Sequence, residues 1–149
     1  MSKLSTLLVL LSFVFAASAE QKTVDQLKAE AEHAAPDQQG RLYAEVADKL
    51  VAVADKQFTD GESVKGHATV QEILQYAIKA HDVAIQTRKK MKETEKFLRE
   101  CHRRLENMKR TLAAEDRPKV ETVEKQLEKL TEEVLESMFA PPEKKKDHK

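Results

Sequence analysis

Val70, Ala77, Ala84, Met91, Leu98, Leu105 and Leu112 stand seven residues apart without a break. Ile73, Ala80, Thr87, Thr94, Cys101 and Met108 fill the position three residues further on in each repeat. An α-helix brings the same face round every seven residues, so this pattern lays a single seam along a helix. No Gly or Pro falls between Thr69 and Ala114. The spacing therefore predicts one helix over 69–114, roughly 70 Å long at ~1.5 Å per residue.

The seam changes character near Arg88. Before it the line is small (Ala77, Ala80, Ala84), with bulk set beside it in Leu74, Ile78, Val83 and Ile85. Small residues admit a close neighbour, and a wide stripe asks for two. After Arg88 only Phe97 adds to the line, and a narrow stripe asks for one partner. Asp116-Arg-Pro118 provides a turn and a helix start. Val120, Val123, Leu127, Leu130, Val134 and Met138 then continue an apolar face, antiparallel to the end of the long helix.

Upstream, Thr23-Val-Asp-Gln26 has the form of a capping box and opens a short helix reaching about Ala34. Pro36 suits a first helical position, and an apolar face from Leu42 to Phe58 follows, stopped by Asp60-Gly61. Gly40 weakens that first turn and moves the expected start toward Arg41. A second capping box, Thr69-Val-Gln-Glu72, is expected to open the long helix. The fold class is thus all-α: an elongated bundle, or antiparallel coiled-coil hairpin, built on one central helix at about 69–114. A shorter helix pair lies on its N-terminal half, and a helix at about 117–139 lies on its C-terminal half.

The N-terminus carries the most specific signal of destination. Lys3 precedes an uncharged, largely apolar stretch from Leu4 to Ala17, and Ala17-Ser18-Ala19 has the A-x-A form of a cleavage site. Spanning a bilayer takes about 20 apolar residues, so the stretch suits a cleaved leader better than an anchor. The expected organisation is a signal peptide over 1–19 cut between Ala19 and Glu20, one helical domain over 20–140, and a disordered charged tail over 141–149. Export follows, to a bacterial periplasm or the medium. The lone asparagine, Asn107, is followed by Met-Lys and forms no N-glycosylation acceptor, which favours the periplasm.

Composition narrows the classes of function. The chain is 35% charged with zero formal net charge, so no polyanionic partner is called for globally. Residues 88–110 hold ten Lys or Arg against four Glu, a net of +6. Residues 116–137 have a net of −3 and residues 20–62 a net of −5, so the basic stretch has acidic helices of its own chain to lie against. RKKMK at 88–92 accordingly reads as a solvated, salt-bridged helix flank in preference to a nucleic-acid or anionic-lipid patch.

With a single cysteine there is no disulfide framework. Cys101 occupies a seam position between Leu98 and Leu105, where a free thiol behaves as a small hydrophobe; the alternatives are an intermolecular disulfide and redox or metal chemistry. Glu30-Ala-Glu-His33 is the sole Glu-x-x-His, and His81 sits on the wide stripe without a partner four residues on. Glu30, His33 and His81 are thus the metal candidates, weak ones, and no metal, cofactor or catalytic residue is assigned. Phosphate loops, nucleophile elbows and H-E-x-x-H are missing. The expected function is that of an exported non-enzymatic interaction or structural module, meeting a protein partner or itself through a helical surface, with no nucleic acid and no integral membrane segment after cleavage. A ligand- or metal-binding helical carrier and a holdase-type envelope chaperone are the alternatives.

Overall fold

The computed structural model of the chain describes residues 22–142. The leader, its cleavage pair Ala19–Glu20 and the tail from residue 143 lie outside the described residues. Five helices follow in order: α1 (Val24–His33), α2 (Pro36–Thr59), α3 (Ser63–Thr87), α4 (Met91–Thr111) and α5 (Arg117–Phe139).

Local chemistry explains most of the ends. Thr23 accepts from the backbone N–H of Gln26 while the Gln26 side chain accepts from that of Thr23, so the first capping box is formed. Pro36 opens α2 in its first turn, and Gly40 lies inside the helix, which corrects the start expected near Arg41. The second capping box is not used. α3 begins at Ser63, and Thr69 lies within it, donating to Gln57 Oε1 at 2.6 Å. Gly61, at φ 78, turns the chain out of α2, so α3 starts at Ser63, six residues before the expected start, and runs on from there.

The expected long helix is two helices. Arg88 and Lys90 take left-handed φ values of 54° and 53°, and the chain reverses between Thr87 and Met91. Side-chain groups hold this turn: Thr87 Oγ1 accepts from Lys89 N at 3.2 Å, and Thr94 Oγ1 donates to Lys90 O at 2.8 Å. The Arg88 guanidinium donates to Ser137 O and Ala140 O at 2.8 and 3.0 Å, capping the end of α5. The seam survives the break. Of its thirteen positions only Thr87 is not buried.

Pairwise packing then fixes a compact bundle in place of the elongated one expected. α2 lies against both α3 and α4, and α5 lies against the same two from the other side. α2 does not touch α5, so these two stand on one diagonal and α3 with α4 on the other. Directions alternate. Gln57 meets Thr69 while Gly40 faces Ala80 and Ala84, so α3 is antiparallel to α2. Arg104 reaches Asp48 while Gly40 faces Thr94, so α4 is parallel to α2. His67 meets Asp116 and Arg88 meets Ser137, so α5 runs parallel to α3.

The core is aliphatic and continuous from α1 to α5, with Ile73, Leu98, Leu105 and Leu127 fully buried. A Cβ at Gly40 would lie 3.3 Å from Ala84 N and 3.4 Å from Ala80 O, so the alanine line lets α2 and α3 approach at backbone distance. α1 covers the α2–α3 seam by burying Leu27 and Ala31. Its rim is polar: Lys79 pairs with Glu32 at 3.0 Å and lies 5.3 and 5.1 Å from the Tyr43 and Tyr76 ring centroids.

Candidate functional site

The metal candidates are not brought together. Glu30 and His33 lie one turn apart at the C-terminal end of α1, where Glu30 is paired with Lys22 and His33 is exposed. His81 faces α5, with Nε2 at 2.8 Å from Glu133 Oε2 and Nδ1 at 2.8 Å from Asp82 Oδ1. Both ring nitrogens are engaged, so His81 links α3 to α5. Among the described residues no group of three or more His, Cys, Asp or Glu side chains is arranged to hold a metal ion.

Cys101 is fully buried in α4 and free. Burial pushes its thiol well above the ordinary value, the nearby Asp48 carboxylate adds to this, and Arg104 opposes both. A thiol held protonated is a poor nucleophile and a poor ligand. Asp48 is itself almost buried on α2, and Arg104 Nη1 lies 3.2 Å from its Oδ1. Burial raises the Asp48 carboxyl, and the guanidinium only partly offsets that. Beside this pair a groove of about 470 Å³ runs between α2 and α4, floored by Val51 and Met108 and rimmed by Asp55, Lys56 and Asn107.

Two clusters were not foreseen from the sequence. Ser63, His67 and Asp116 come together where α3 begins and α5 begins. Asp116 accepts from Ser63 Oγ at 3.1 Å through Oδ2, and its Oδ1 lies 2.8 Å from His67 Nε2. In a nucleophilic triad the histidine stands between hydroxyl and carboxylate. Here the carboxylate stands between, so the hydroxyl is not aimed at the imidazole, and the group tethers the start of α3 to the turn before α5. The second cluster lies between α4 and α5. Glu124 is nearly buried, 2.5 Å from Lys109 Nζ through Oε2 and 3.7 Å from His102 Nε2 through Oε1. These partners are 49 and 15 or 22 residues apart in sequence, and no local spacing announces them.

Large apolar side chains are exposed at both ends of the bundle: Val64 at 86% on the first turn of α3 and Phe139 at 82% on the last turn of α5. Ile78 and Leu135 are 41% and 40% exposed. No helix of the described residues is long and apolar enough to cross a membrane. Neither a protein-family model, nor a curated protein, nor a solved structure matches this chain.

Proposed function

We propose that this protein is an exported, non-enzymatic helical module of the cell envelope that works through contacts made by its outer surface. The exposure of Val64 and Phe139 carries the reading. Folding places large apolar side chains inside, and Phe139 with Leu135 one turn before it leaves an apolar face of α5 in water that is suited to a partner, with Val64 a second exposed point at the opposite end. The interior polar groups support it in another way, since Thr94 and Thr131 donate to backbone carbonyls of their own helices and Asp48 and Glu124 are paired with Arg104 and Lys109. The apolar leader with its A-x-A pair supports export.

The carrier alternative draws on His81, but Asp82 and Glu133 already engage both of its nitrogens. The chaperone alternative draws on the α2–α4 groove, whose floor is apolar.

The proposal predicts a mature N-terminus at Glu20, read by intact mass of exported material. It also predicts crosslinks to envelope proteins, or to a second copy, from photoreactive side chains placed at 64 and 139. Sedimentation mass, measured with and without reductant and Zn²⁺, separates the readings. An assembly that forms only with Zn²⁺ would favour the carrier. A retained leader would remove the export half of the proposal.

A further inference from the structure

The turn between α3 and α4 is built wholly of cations. Arg88, Lys89 and Lys90 form it, and Lys92 follows in the first turn of α4. Two of these residues sit in the left-handed region that Gly and Asn adopt most readily. Strain kept at a surface turn, with basic residues where a small one would relax it, points to a use for the charge. Arg88 is spent on the α5 carbonyls. Lys89, Lys90 and Lys92 remain exposed, and Lys90 alone has an acidic neighbour within ion-pair distance among the described residues, Glu93 at 3.8 Å.

The Arg88 bonds also bring an apolar surface to the same place. Phe139 lies between the two residues whose carbonyls Arg88 holds. Leu135 is one turn earlier on the same face of α5, and Ala140, Pro141 and Pro142 are exposed and uncharged. Acidic residues at this end include Asp37 in the first turn of α2, Glu93 and Glu136, while Leu135 borders a cleft between α4 and α5 that Glu95, Glu128 and Glu132 also line. On a straight helix these cations would point to different sides of it at mid-length. The reversal gathers them at the tip of the bundle, next to an aromatic side chain.

We infer that this tip docks on an anionic lipid surface. Phe139 enters the boundary between headgroups and acyl chains, and Lys89, Lys90 and Lys92 reach the phosphates while their stems stay against apolar surface. Lys89 and Lys92, exposed and outside every ion pair among the described residues, favour an anionic partner, and Phe139 favours one with an apolar phase to enter. A single-stranded nucleic acid would call for a row of stacking aromatics, and the tip has one. The inference rests on the tip alone and stands apart from the proposal of export.

The full chain contains no Trp, so Phe139→Trp places its sole indole at the tip and Val64→Trp places it at the opposite end. Each is mixed with vesicles containing phosphatidylglycerol and brominated acyl chains, and with phosphatidylcholine vesicles. The indole at 139 should shift to the blue and be quenched by the anionic vesicles, weakly by the zwitterionic ones, and less as salt rises. The indole at 64 should not respond. Because the apolar leader is common to both probes, the difference between them belongs to the tip. Adding Lys89→Glu and Lys92→Glu to the tip probe should weaken binding roughly thirtyfold or more, with helical circular dichroism unchanged. Equal responses at 64 and 139, no response at 139, or indifference to the two charge reversals would overturn the inference. Quenching at 139 by a single-stranded oligonucleotide at lower concentration than by vesicles would assign the tip to nucleic acid instead.

Discussion

Cys101 lies between Leu98 and Leu105 with no exposed surface, and its chemistry follows from that position. The folded state keeps the thiol proton, whereas the unfolded chain releases it near the ordinary value of 9.0. The unfolded state therefore binds fewer protons above that pH, and the contribution is present below 9.0 and lost as pH rises beyond it. Urea unfolding should show the wild type losing stability relative to Cys101→Ala by up to ~1.4 kcal/mol per pH unit above that point. Native labelling by a thiol reagent should be slow and should accelerate with urea. Parallel curves and fast labelling would place the thiol outside the core. Asp48 obeys the same logic at the acid end. Its folded carboxyl is raised above 3.8, so the ionised form is a cost that acidification relieves. Arg104→Met removes the cation that offsets this cost. The variant should lose roughly 1–3 kcal/mol at neutral pH, and the loss should shrink as pH falls through the range where Asp48 takes its proton. A loss independent of pH would mean that the arginine stem, not its charge, matters there.

At the scale of the helix, the α3–α4 turn tests how a segment without Gly or Pro reverses. Each non-Gly residue in the left-handed region costs ~1–2 kcal/mol. Lys90→Gly should therefore raise stability by about 1 kcal/mol, checked by thermal or urea unfolding; a decrease would show that the lysine is held by something besides the backbone. What was legible in the sequence divides along the same line. The seam from Val70 to Leu112 told correctly which side chains are buried, Thr87 at the reversal excepted, because burial needs only the face of the helix. It could not tell that the helix folds back, since Ala84 and Met91 remain seven apart whether the chain runs straight or turns between them. The capping rules found Thr23 and Pro36, where the cap is local. They failed at Thr69, whose hydroxyl is taken by Gln57 across the α2–α3 interface. The clusters around Asp116 and Glu124 depend on helices brought side by side by the reversal, so they were out of reach until the turn was known.

For the whole molecule, the reversal replaces two sub-bundles on a shared spine with one core. Leu105→Ala should cost ~2–5 kcal/mol, and amide exchange should rise across α2–α5 together because α4 packs on both α2 and α5. Ile78→Ala should cost under ~1 kcal/mol, its side chain being 41% exposed. Exchange confined to α4 and α5 after Leu105→Ala would restore the two-part description. The diagonal placement of α3 and α4 has a consequence for how the chain is made. Consecutive helices usually close on each other as they emerge, but here α3 and α4 need α2 on one side and α5 on the other. The second of these is encoded last. Until residues 117–139 have left the ribosome, the outer faces of α3 and α4 have nothing to close against. The α2–α3 hairpin can close as soon as α3 is made, but the faces of α3 and α4 turned toward α5 wait for the last helix, so the bundle is completed only at the end of synthesis.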